Sequence, residues 1–196
     1  MTDHTQKFGE PALNTSLTGQ TIVMVIANGF NEIEFTEAQR ALMKTGATIK
    51  VVSPEKSVAN GWHGTGWGHY FPVDSNIGDA LGSDYDLMVL VGGERGIAKL
   101  NQNPHTKRMV GHFLDAQKPI VAMNEAVSLL AMPGKLEGRA IAADQTDPAL
   151  AATGAVLSEE SVVVDANLMT LRGEDMTALV AAMLSHFAEA QQLAAA

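Results

Sequence analysis

Two carboxylates one residue apart, Glu32 and Glu34, a glycine pair, Gly92-Gly93, and the polar dipeptide Asn124-Glu125 are where this chain could do chemistry. Each follows an apolar run that stops abruptly. In an open α/β sheet, ligands sit beyond the carboxyl ends of strands, so three such ends far apart in sequence are expected to converge in space. Glu34 next to Glu125 would make a carboxylate pair, one protonated and one ionised, suited to acid/base work. The structural alternative has Glu34 bonding the Asn124 amide while Glu125 favours the start of its own helix electrostatically. A sharp strand-to-helix turn, predicted here around Asn124, is also where α/β hydrolytic enzymes mount a nucleophile and aim backbone N–H groups at an oxyanion. Asn tolerates the positive φ of such a turn, but a carboxamide is not a neutral-pH nucleophile.

His63 and His69 with a glutamate would make part of a divalent-metal site, but no third ligand is defined and no metal is expected. Gly92-Gly93 lies in neither a GxGxxG nor a GxxxxGK pattern, so a tight strand-end turn is the better reading and no cofactor is expected. Trp62, Trp67, Tyr70 and Phe71 would line a ligand pocket or a dimer contact, or else pack their own loop down. The chain contains no cysteine. That excludes disulfides, thiolate nucleophiles and thiolate metal ligands. A formal net charge of −9 with scattered basic residues repels phosphate backbones and anionic lipid, so nucleic acid and membrane surfaces are poor partners. No apolar run reaches the roughly 20 residues of a membrane span, and residues 1–20 lack the charged-then-apolar order of a signal peptide. The expectation is a cytoplasmic protein.

The elements that must position these residues are legible from periodicity. Thr21 to Ala27 is a continuous apolar run ended by Asn28-Gly29, as in a buried parallel strand, and helical spacing from Ile33 to Lys44 follows it. Thr48 to Ser53 reads as the second strand. Pro54 to Asp74, rich in glycine and aromatics, reads as a long ordered loop. Tyr85 to Val91 is another buried strand, followed by a helix from Pro104 to Gln117. Pro119 to Met123 is a short strand running into a helix from Glu125 to Met132. Strands at 139–143, 161–164 and 168–171, a short helix after Asp147 and a final helix from Asp175 to Gln192 complete the pattern. Strands alternating with helices imply an α/β fold, doubly wound around a mainly parallel sheet with helices on both faces. Residues 1–19 read as a polar tail or an arm against a neighbour, and 20–193 as one domain.

In order and at suitable spacing, Gly29-Phe-Asn-Glu-Ile-Glu34, Gly61-Trp-His63 with Phe71-Pro-Val-Asp74, Asp84 to Gly93, Lys118 to Ala122, Gly134 to Arg139, and Val162 to Thr170 with Arg172-Gly173 resemble the ThiJ/PfpI family, the DJ-one superfamily. The resemblance covers Thr21 to Phe187. It implies a flavodoxin-like three-layer sandwich related to class I glutamine amidotransferases. It also assigns Glu34 to the glutamate that bonds the family's active-site thiol, and Gly93 to its oxyanion-hole glycine. Asn124 falls on the cysteine, in an Ala-Ile-Cys-His-Gly pattern that here reads Ala122-Met-Asn-Glu-Ala126. The same stretch is similar to the C-terminal domains of large catalases, which also lack the cysteine. Glu94 to Leu100 is about one residue longer than the family spacing.

With cysteine, histidine and glycine of the turn all replaced, the family's glyoxalase, deglycase and peptidase activities are not carried over. The expected protein is a non-catalytic member with a retained cleft for a small ligand at Gly93, Glu94 and His63, a stress-related role and a homodimeric state. Glu34, Asn124 and Glu125 keep the positions of the family's active site. The alternatives are a cysteine-independent lyase, isomerase or hydrolase using Glu34 and Glu125, and a purely structural oligomer.

Overall fold

The computed structural model describes residues 15–195. In chain order the elements are β1 (Thr21–Val25), β2 (Phe30–Asn31), α1 (Glu32–Met43), β3 (Thr48–Ser53), β4 (Val58–His63), β5 (Gly66–Pro72) and β6 (Ser75–Asn76). There follow β7 (Leu87–Leu90), α2 (Glu94–Asn101), α3 (Pro104–Asp115), β8 (Ile120–Met123) and a 3-10 helix over Asn124–Ala131. The chain ends with β9 (Ala140–Ala142), α4 (Pro148–Ala151), β10 (Val156–Ser158), β11 (Val162–Asp165), β12 (Leu168–Leu171) and α5 (Met176–Ala195).

Seven strands form the central sheet in the order β11-β12-β8-β7-β1-β3-β6, parallel throughout except for β11 against β12. Because side chains alternate across a strand, apolar runs buried on both faces feed two separate cores. Val23 and Val25 of β1, Met88 and Leu90 of β7, and Ile120 and Ala122 of β8 point to one face, where they meet α3 through Met109, Val110 and Phe113. Ile22 and Met24, Leu87 and Val89, and Val121 and Met123 point to the other, where they meet Phe35 and Leu42 of α1 and Leu179, Met183 and Phe187 of α5. That is the doubly wound, mainly parallel sheet with two helical layers that the strand–helix alternation predicts. The order reverses between β1 and β7, so the crevice of the sheet opens at their carboxyl ends.

The short strands β2, β6 and β10 were not expected, β9 and β10 pair in a separate two-stranded sheet, and three longer segments also differ from the sequence reading. Pro54 to Asp74 is not a loop: β4 and β5 pair antiparallel across it, with a register shift between Asn60 and Trp62, and β4 also pairs parallel with β2. The segment after Gly93 forms α2, which was not expected at all. The segment after Asn124 is helical but wound as a 3-10 helix. Of the polar arm expected over residues 1–19, residues 1–14 lie outside the described part of the chain. Leu17, within the rest of that arm, is fully buried in the α1/α5 core and accepts the Gln20 N–H at 3.0 Å.

Candidate functional site at the strand ends

Asn31 builds the first corner. As N-cap of α1 it accepts from the amides of Ile33 at 3.1 Å and Glu34 at 3.3 Å, as an Asn cap should. Its own Nδ2 donates to Glu34 Oε1 at 3.0 Å, so cap and third helical residue brace each other across one turn. Its backbone N–H donates to the Gly92 carbonyl at 2.8 Å, which ties α1 to the end of β7.

Glu34 is buried, at 2% exposure, and needs its hydrogen bonds for that reason. Oε1 accepts from Asn31 and from Asn124 Nδ2, the latter at 2.7 Å, while Oε2 accepts from the Gly92 amide at 2.8 Å. Burial pushes its carboxyl above the ordinary carboxylate range. The bonds from Asn124, Gly92 and Asn31 pull it partly back, and the negative Glu125 nearby pushes it up again.

Asn124 sits at the sharp turn with φ of 48°, in the left-handed region. A residue other than glycine therefore sits in a strained turn at the end of β8. Both ends of the Asn124 side chain are engaged. Nδ2 donates to Glu34 and to the Gly173 carbonyl at 3.2 Å, and Oδ1 accepts from the Gly173 amide at 2.9 Å. This amide orientation follows from the partners, since a carboxylate only accepts and an N–H only donates. Asn124 thus pins the end of β8 to α1 on one side and to the loop before α5 on the other.

Glu125 completes the constellation, its Oε2 accepting from the Gly93 amide at 2.9 Å. Gly93 has φ of 112°, and a Cβ there would lie 2.4 Å from the Asn31 nitrogen, so no other residue fits. A Cβ on Gly92 would stand 2.6 Å from Glu34 Oε2 and 2.7 Å from Glu125 Oε2. The two carboxylates therefore flank the same backbone position and bind consecutive amides. Beside them opens a cavity of about 250 Å³ lined by Asn124, Glu125, Ser128, Asp144, Asp147 and Arg172.

The structure brings together Glu34, Gly93, Asn124 and Glu125. His63 stands elsewhere: its Nδ1 lies 3.5 Å from Glu32 Oε1, and His69 Nδ1 lies 2.7 Å from the same oxygen. The glutamate between the two histidines is thus Glu32, buried beneath the β4–β5 hairpin, which also accepts the His69 amide at 2.8 Å. Burial opposes its ionisation, but the His69 ring, the His69 amide and the charges of both histidines outweigh that and hold it below the usual carboxylate range. Glu94 opens α2 on the exposed side. Trp62 stacks edge-on against Trp67 at 5.4 Å and carries the Arg95 guanidinium over its ring at 4.2 Å. Sequence reasoning missed Asn31 and Gly173. The Asn31-x-x-Glu34 spacing, close to a capping box, was the available signal for the first; Gly173, whose contribution is purely backbone, stood only as part of the Arg172-Gly173 match and carried no sign of its bond to Asn124.

The family model for the DJ-1/PfpI family matches residues 20–186. An uncharacterised protein of Staphylococcus saprophyticus is 30% identical over 161 residues, covering 79% of this chain and 89% of that protein. The DJ-1 homolog D of Arabidopsis thaliana is 26% identical over 142 residues, 65% of this chain but only 36% of that protein. Among solved structures, a ThiJ/PfpI domain protein of Brachyspira murdochii superposes with a TM-score of 0.75 at 24% identity, covering 85% of this chain and 95% of that one. A two-domain protein of Anabaena variabilis, with DJ-1/ThiJ/PfpI-like and ferritin-like domains, gives 0.77 at 24% identity over 86% of this chain. This chain spans 50% of its length.

Proposed function

The chain belongs to the DJ-1/PfpI family, and from that premise we propose that it is a non-catalytic member, a protein that holds a small ligand in the strand-end cleft without covalent chemistry. The observation that carries this reading is the elbow itself. Asn124 occupies the nucleophile position, and every hydrogen-bonding group of its carboxamide is committed to Glu34 or Gly173. A group held in that way neither attacks a carbonyl nor transfers a proton. The adjoining cavity, with polar groups converging on it, supports a retained ligand site.

The test is a paired measurement on purified protein. Small carbonyl compounds should raise the unfolding temperature saturably, while methylglyoxal is consumed no faster than in buffer. Turnover at a typical enzyme rate, about 1 s⁻¹ or more, would overturn the reading, as would a flat thermal response.

One observation favours a second reading, acid/base catalysis without cysteine: two carboxylates flank Gly92, and burial raises the pKa of one of them. It predicts an activity lost in both Glu34→Gln and Glu125→Gln, and any activity that survives both changes excludes it. A homodimer accompanies the first reading. The exposed Trp67 and Tyr70 of the hairpin support it, and light scattering that gives a monomer at micromolar concentration would remove it.

A further inference from the structure

Consecutive backbone N–H groups at the end of a strand, next to a helix start, form a position for a small anion. Here both are filled from within the chain. The Gly92 amide donates to the buried Glu34 and the Gly93 amide to Glu125, a side chain that is itself exposed. The cavity alongside offers an anion little else. Its polar lining consists of the carboxylates of Glu125, Asp144 and Asp147, one guanidinium, Arg172, which lies 3.8 Å from Asp144, and Asn124 and Ser128, whose donors already go to Glu34, the Gly173 carbonyl and the Glu125 carbonyl. Asp144, like Glu125 and Asp147, is a carboxylate at neutral pH, and the Thr146 hydroxyl and amide both donate to it.

We propose that Glu125 sets the charge selectivity of the cleft: its carboxylate is a built-in occupant of the anion position on Gly93, so the cleft admits neutral or cationic small molecules and refuses small oxyanions. This rests on the reading of the cleft as a ligand site and narrows it. Glu34 cannot act as the selector, because it is enclosed by three donors, whereas Glu125 makes one side-chain bond at the mouth of the cavity. A ligand that carries hydrogen-bond donors finds a free carboxylate oxygen there, and a ligand oxyanion finds a like charge on the only amide it would use.

Acetate, acetamide and acetamidinium share one shape and differ in charge, so they separate charge from fit. Titrations of the whole protein followed through the Gly93 amide resonance should rank acetamidinium above acetamide for the wild type, with acetate producing no saturable shift. Glu125→Ala should bind acetate at least about tenfold tighter than the wild type does, the scale of one like charge removed at contact distance. Glu125→Gln, which keeps a side-chain acceptor on Gly93 without the charge, should lose the preference for acetamidinium over acetamide. Acetate binding to the wild type as tightly as to Glu125→Ala overturns the inference, and so does absence of any gain in that variant. If the wild type binds none of the three while Glu125→Ala gains acetate, the ligand-site reading fails and Glu125 blocks the anion position without selecting a ligand, which overturns the inference as stated.

Discussion

At the scale of single residues, Asn124 does in this molecule what a thiol cannot: it bridges three segments with one planar group. Removing it leaves Glu34 Oε1 with a single donor and the Gly173 amide and carbonyl without their side-chain partner. Asn124→Ala should therefore cost about 2–4 kcal/mol in chemical denaturation. Asn124→Gly loses the same bonds but relieves the left-handed φ, so it should be less damaging than the alanine variant by about 1 kcal/mol. The reverse order would show that the position is not strained. Glu32 makes a pH prediction. Its folded carboxyl is depressed from the ordinary 4.5, so its stabilising contribution is fully present above that value and is lost as pH falls through the lower, folded one. The stability difference between wild type and Glu32→Gln, measured by urea titration, should shrink as pH falls from 4.5 through the lower value of the folded carboxyl. A difference that grows as pH falls below 4.5 would contradict the depressed Glu32 carboxyl.

At the scale of elements, the cap of α1 is where local sequence and site geometry coincide. Asn31→Ala removes the acceptor for two helix amides and the donor to Glu34, and should cost about 1–2 kcal/mol. Asn31→Asp keeps the cap but puts a second negative charge where Glu34 had a donor. Its cost should therefore be small at acidic pH and larger at neutral pH, whereas the alanine cost should vary less between the two. Equal pH profiles for the two variants would mean that Asn31 does not act on the Glu34 carboxyl. The same elements mark what the sequence could express. Buried strands such as β1, β7 and β8 were readable because each is a run of apolar residues on both faces. The β4–β5 hairpin was not, because glycines at 61, 64, 66 and 68 and a register shift break the alternation that signals a strand. Helix α2 was hidden by its length and by Gly96, which lies against the Ala27 carbonyl and suits packing rather than helix propensity. Among site residues, the strand-end positions of Glu34, Gly93, Asn124 and Glu125 followed from topology. The pairing of His63 with Glu32 did not, since it needs the hairpin to fold back over α1.

At the scale of the whole molecule, that fold-back decides whether the protein unfolds in one step or two. Both cores share β1, β7 and β8, so neither face of the central sheet can dissolve alone. The hairpin is joined to this body by different means: Phe71 packs edge-on against Phe30 at 5.5 Å and Phe35 at 5.1 Å, β4 pairs with β2, and Glu32 holds both hairpin histidines. The chain's two tryptophans, Trp62 and Trp67, both lie in the hairpin. Intrinsic fluorescence therefore reports the hairpin, while far-ultraviolet circular dichroism is dominated by the helices and the central sheet. The aromatic contacts, each worth about 0.5–1.5 kcal/mol beyond the area they bury, and the buried carboxylate together make the hairpin part of the cooperative unit. The two signals should accordingly show one coincident urea transition for the wild type. In Glu32→Ala, which removes the clamp and leaves the phenylalanine cluster intact, the fluorescence transition should move to lower urea than the circular dichroism transition. Coincident transitions in that variant would mean that Phe71 and the β2–β4 pairing hold the hairpin without Glu32, and separate transitions in the wild type would mean that the hairpin is an independent unit of the fold.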